Sequence, residues 1–114
     1  MKMRHFHEEL DLLKARLVSM SGHAEDAVKL AVDALVERDE TKASLLIEMD
    51  QSIDDLELEI DNVAINLLAL QQPMARDLRF IVAATKIAND LERVGDHAVN
   101  IAEALKWLLQ APPF

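Results

Sequence analysis

Residues 67–109 read LLALQQPMARDLRFIVAATKIANDLERVGDHAVNIAEALKWLL, and this stretch decides the fold. After Pro73, apolar residues recur at Phe80, Ala84, Ile87, Leu91, Val94, Ala98, Ile101, Leu105 and Leu108. The steps alternate between four and three, which lays a seam down one face of a helix at coiled-coil spacing. Pro73 suits the first turn of that helix, where its missing N–H costs nothing, and it must end the preceding helix. Working back, Leu46, Met49, Ile53, Leu56, Ile60, Val63, Leu67 and Leu70 form a second seam. Phe6, Leu10, Leu13, Leu17, Met20, Ala24, Ala27, Ala31 and Leu35 form a third. Between these two, Asp39 followed by Glu40 provides a cap and a charge that complements the helix dipole. The expectation is an all-α, antiparallel, up-down-up three-helix bundle of the spectrin-like kind. It forms one domain over residues 1–114, with helices at about 4–38, 40–71 and 73–109. Helices of this length would run roughly 45–50 Å.

Composition narrows the function. The 114 residues carry 12 Lys+Arg against 21 Asp+Glu, a net charge of −9, which argues against a phosphate backbone as partner and so against nucleic acid. Hydrophobic residues make up 51%, enough for a packed core, while 2 Gly and 3 Pro are too few for a many-turned β-fold. Cysteine is absent, which removes disulfides, thiolate catalysis and zinc fingers. The first ten residues lack the apolar centre of a signal peptide, and no apolar run approaches the ~18–20 residues of a membrane span. A soluble, cytoplasmic protein is expected. Leu12, Val18, Val28, Val32, Ile81, Val82, Val99, Trp107 and Leu109 exceed the strict seams. They either widen the core face or await a second bundle or subunit.

The second helix also carries Asp50, Asp54, Glu57 and Asp61 at i, i+4, i+7 and i+11, all on one narrow face. Like charges at i, i+4 cost about 0.2–0.5 kcal/mol per pair, and no Lys or Arg lies between Lys42 and Arg76 to relieve them. The third helix adds Glu92 and Asp96, with Asn100 and Glu103 further along the same side. Counted from Pro73, the two stripes fall at the same height in an antiparallel pair. A solvated acidic face is the commoner explanation of such stripes. The sharper one is an oxygen-only site for a hard cation, Mg²⁺, Mn²⁺, Ca²⁺ or ferric iron. No Glu-x-x-His, His-Glu-x-x-His, phosphate loop or nucleophile elbow is present, so no enzyme class is indicated. Gly95, between Glu92 and Asp96, leaves room for a cation or for a closely packed helix. His97 is most simply a surface or packing residue.

Two segments, DQSIDDLELEID at 50–61 and the stretch from Leu67 to Glu103, closely resemble the PhoU family of phosphate-signalling regulators. The family's repeated Asp/Glu-x-x-x-Asp motif reads here as Asp50/Asp54, Glu57/Asp61 and Glu92/Asp96. The resemblance implies that these six bind metal ions, of the Fe, Mn, Mg or Ca class. It further implies a non-enzymatic, cytoplasmic adaptor in negative regulation of the phosphate-starvation response. Such an adaptor acts between a phosphate ABC transporter and a sensor histidine kinase, and meets the inner face of the membrane only through those partners. PhoU-like chains carry two three-helix repeats, and this one resembles the first. It is therefore expected to be either a fragment or a single-repeat form whose homodimer replaces the other half. The alternative is a structural or oligomerisation module without metal function.

Overall fold

The computed structural model describes residues 2–70 and 75–110. Three helices follow one another, α1 (Lys2–Glu37), α2 (Glu40–Leu70) and α3 (Ala75–Gln110), and each packs on the other two. Arg16 of α1 meets Glu59 of α2, and Asp50 of α2 meets Asp96 of α3, so each consecutive pair is antiparallel. Lys14 lies over the Phe80 ring, as the parallel course of α1 and α3 requires. The protein is thus an all-α three-helix bundle, a rod of 66 × 18 × 17 Å. Its radius of gyration, 18.0 Å, exceeds the ~13 Å of a compact chain of this length. Pro73 and the Gln71–Pro73 turn lie outside the described residues, as does the side chain of Leu70.

The α1–α2 corner is built from backbone chemistry. Arg38 adopts a left-handed conformation (φ 56°), and the Asp39 N–H donates to the Ala34 carbonyl at 2.9 Å, closing α1 as a Schellman turn. The same Asp39 opens α2: its Oδ1 accepts from the Lys42 N–H at 3.2 Å and its carbonyl accepts from Ala43. One residue therefore ends one helix and starts the next.

The core is assembled unevenly. On α2, Leu46, Ile53, Ile60 and Leu67 are fully buried. Opposite them, α1 offers Ala24, Ala27, Ala31 and Ala34, and α3 offers Ala84, Ala88, Gly95, Ala98 and Ala102. The large side chains of α2 thus fill hollows left by small residues on its neighbours, and the three axes draw close. This corrects the sequence-derived seams. Ile87, Val94, Ile101 and Leu108 stand 37–46% exposed and Leu35 about half exposed, while Ala88, Gly95, Ala102 and Ala34 take the inward positions. A repeat of seven is satisfied equally by two adjacent stripes, and the axis of a slim bundle admits the smaller one. Of the surplus apolar residues, Ile81 enters the core and Leu12 and Leu109 pack at its edge. Val18, Val28, Val32, Val82 and Trp107 remain exposed.

Replacing Asp39 by Ala removes the α2 cap and should cost about 1 kcal/mol, whereas Ser should restore most of it. Urea unfolding of the two variants beside the parent checks this.

Candidate metal centre

Because α2 and α3 are antiparallel and in close contact, their acidic stripes meet across the groove between them. Asp50, Asp54 and Asp96 each place a carboxylate oxygen so that all three lie within 4.8 Å of one another. Glu92 lies against Asp96, one turn on, and feels its charge together with those of Glu57 and Asp54. Glu57 in turn feels Asp61, Asp54 and Asp96. The six residues singled out by spacing therefore form one continuous acidic strip, tightest at Asp50, Asp54 and Asp96, with Asp61 at its far end. Glu103, noted on the same side of α3 but not among those six, adds its charge to the field at Asp50.

The close approach has a local cause. A side chain at Gly95 would begin 3.0 Å from Ile53 Cδ1 and 3.6 Å from Asp50 Oδ1. The missing Cβ lets Ile53 seat closely against α3 without having to shift, and Asp50, one turn away on α2, is held beside the same contact. Both readings of Gly95 thus coincide at one position: it permits tight packing and it borders the carboxylates.

The strip is poorly compensated. Asp50 Oδ1 is buried and has no hydrogen-bond partner among the described residues. Buried polar atoms are nearly always paired, and leaving one unpaired costs about 1–3 kcal/mol. The ion pairs among the described residues, Arg16–Glu59, Lys42–Glu37 and Arg93–Asp90, leave all six carboxylates out. Arg93, beside Glu92 in sequence, turns instead to Asp90 at 3.8 Å on the exposed side. The consequence is visible in protonation. Burial first, then the Asp96 hydrogen bond and neighbouring charges, push Glu92 up to about 7. Asp50, Asp54 and Glu57 are each raised above the usual carboxylate range, again by burial first and like charges second.

A hard cation fits this donor set. Its ligands would be oxygens alone, in a cluster with surplus negative charge and one buried acceptor left free. The histidines do not join it. His23 bonds the Ser19 carbonyl at 2.8 Å, and His97 lines a groove between α1 and α3 with Val28, Val32, Val94 and Ile101.

The fold and the strip define a class: a long-helix bundle that holds an uncompensated carboxylate groove between two antiparallel helices. The chain belongs to the PhoU family, whose domain model matches residues 17–105. It is similar to proteins described as phosphate-specific transport system accessory protein PhoU homologs. The relative from Clostridium acetobutylicum is 45% identical over 104 residues, covering 90% of this chain and 48% of the relative. That from Caulobacter vibrioides is 41% identical over 111 residues, covering 97% and 48%. That from Aquifex aeolicus is 40% identical over 106 residues, covering 93% and 48%. The chain thus spans about half the length of the curated relatives it matches. No solved structure matches it significantly.

Glu92 titrates at about 7 in the folded chain against 4.5 for a free side chain. Between these values the folded state holds more protons than the unfolded one, so stability falls as pH rises through that window. The raised Asp50, Asp54 and Glu57 act in the same direction. Chelator-treated protein should therefore show a melting temperature that declines from pH 4.5 to 7, and Glu92→Gln should flatten the decline. A second expectation concerns packing. Gly95→Val drives a branched side chain into Ile53 and should destabilise the bundle by about 1–3 kcal/mol, read by urea unfolding.

Proposed function

We propose that this chain is a metal-binding accessory module of a phosphate transport system, acting in negative control of the phosphate-starvation response. Asp50, Asp54 and Asp96 hold the cation, with Glu57, Asp61 and Glu92 extending the strip toward further ions. The bound ion supplies positive charge in a place where the protein has none. The carboxylates bridge α2 and α3, lock their relative height and, once neutralised, present a surface with lower negative potential. On this reading the chain carries out no catalysis. It works as a cytoplasmic adaptor that docks between a phosphate ABC transporter and a sensor histidine kinase, and reaches the membrane only through them. Membership of the family, and the description of its relatives as phosphate-specific transport system accessory proteins, support the phosphate role. No helix among the described residues is long and apolar enough to cross a membrane, which agrees with contact through partners.

The observation that carries the metal reading is the buried, unpartnered Asp50 Oδ1 within a three-carboxylate cluster that no cation of the described chain reaches. A purely structural module with solvated acidic stripes has no use for such an atom.

The test is thermal unfolding of chelator-treated protein titrated with Mg²⁺, Mn²⁺, Ca²⁺ and ferric iron, beside Asp54→Asn/Asp96→Asn. An ion at 100-fold excess over its Kd should add about 2.7 kcal/mol to the parent. The variant should lose that gain while melting higher than the parent without metal, because repulsion has been removed. A variant that responds to the ion as the parent does would refute the assignment, and no response to any ion would favour the structural module.

A further inference from the structure

The acidic strip does not fill the face between α2 and α3. Toward the end where α2 stops and α3 starts, it gives way to apolar side chains. Leu68 lies two heptads after Asp54 on α2, and Leu78 and Val82 lie two heptads before Glu92 and Asp96 on α3. In helices packed along their length, seven residues return a side chain to the same face. These three apolar residues therefore continue the same stripes that carry the carboxylates, and Leu58 and Ile65 stand beside Leu68 on α2. Because Asp50 meets Asp96, the antiparallel register sets Leu68 level with Leu78, and Ile65 close to the height of Val82. All are exposed, from 41% at Leu78 to 62% at Leu58 and Ile65. Midway, Asp61, Thr85 and Asn89 form a polar step, and none of these stripes carries Lys or Arg between its apolar end and its carboxylates. The face thus has an apolar half and a negative half, and spans roughly 27 Å from Leu68 to Asp50.

We infer that this face docks a basic amphipathic segment of a partner protein, a helix that lays apolar side chains over Leu68, Leu78 and Val82 and lysines or arginines over Asp54, Glu92 and Asp96. Charge decides the occupant. The chain carries a net charge of −9, and the ion pairs among the described residues leave the strip without a cationic partner. A second copy would set its own carboxylates against these, and an anionic membrane surface is repelled in the same way. A metal ion alone satisfies the negative half and leaves the apolar half uncovered. A segment with both kinds of side chain matches both halves. On the outer side of α3, Arg79, Lys86 and Arg93 recur every seven residues beside these stripes. They repel a basic segment from the outer rim and confine it to the groove, which fixes its line as well as its sign.

The contact is a helix laid in a groove, where apolar burial supplies affinity and charge supplies register and approach rate. It also gives the cation a direction of control. An ion held by Asp50, Asp54 and Asp96 removes the negative potential that the basic end of the segment needs. The metal-free chain therefore holds the segment and the metal-loaded chain releases it. This competition rests on the reading of the strip as a cation site, whereas the docking itself does not.

The probe is a fluorescein-labelled helical peptide of about 18 residues, long enough to span the face, with leucines along one half of its stripe and lysines along the other. Its anisotropy is read against chelator-treated protein. The peptide should bind, and a version with glutamates in place of the lysines should not. Ile65→Ser/Val82→Ser, exposed positions outside the cation site, should weaken binding about tenfold or more, with helicity and the metal-dependent melting shift unchanged. Val32→Ser/Ile101→Ser, at exposed positions on the α1/α3 side, should bind as the parent does. The cation that most raises the melting temperature should displace the peptide beyond what NaCl of equal ionic strength achieves. The docking is overturned if the peptide does not bind, if the glutamate version binds equally, or if Ile65→Ser/Val82→Ser keeps the parent's affinity. Loss of binding in Val32→Ser/Ile101→Ser in its place overturns it too. If no cation shifts the melting temperature yet the peptide binds as described, the docking stands and the metal reading falls. A cation that stabilises the chain without displacing the peptide overturns the competition.

Discussion

The contact of Ile53 with Gly95 sets the distance between α2 and α3, and much of the molecule follows from that distance. A Cβ at position 95 would meet Ile53 Cδ1 at 3.0 Å, so Ile53 would have to give way by a few tenths of an ångström. With glycine there, the large residues of α2 sink into the small-residue faces of both neighbours. Close-packed interiors transmit such choices along the whole element, because side chains have nowhere else to go. The same closeness forces Asp50 and Asp54 against Asp96, so the core contact and the acidic cluster share one origin.

That arrangement carries a cost which the bundle does not recover internally. Carboxylates drawn from water and set beside one another resist ionisation, and Glu92 shows the effect most strongly. Perturbed carboxylates cluster at functional sites, and that is the ground on which the strip supports the proposed metal reading. The α1/α3 face is incomplete in a different way. There the deficit is apolar and the surface exceeds what a slim three-helix core can enclose. The two deficits lie on opposite sides of α3.

Most of the architecture was legible in the chain before any coordinates. Seams at alternating steps of four and three specify helices, and with only Gly22 and Gly95 inside them and no proline within their described lengths, no other regular structure competes. Asp39 identified itself as a cap because an aspartate before a glutamate-led apolar series has few other uses. The acidic stripes were legible for the same reason, since the spacings i+4, i+7 and i+11 hold only on a helix. What spacing could not supply was the inward direction. Ile87, Val94 and Ile101 satisfy the repeat as well as Ala88, Gly95 and Ala102 do, and hydrophobicity favoured the wrong set. Size was the missing consideration.

The sequence by itself determined three helices, their order, the Asp39 cap and the faces on which the carboxylates lie, because these depend on residues within a turn or two of one another. Only the tertiary structure decided which stripe turned inward, which carboxylates met, and that Asp50 Oδ1 was left without a partner among the described residues. Those outcomes depend on how closely two helices distant in the chain can approach, and that limit is set by the volume of side chains on both.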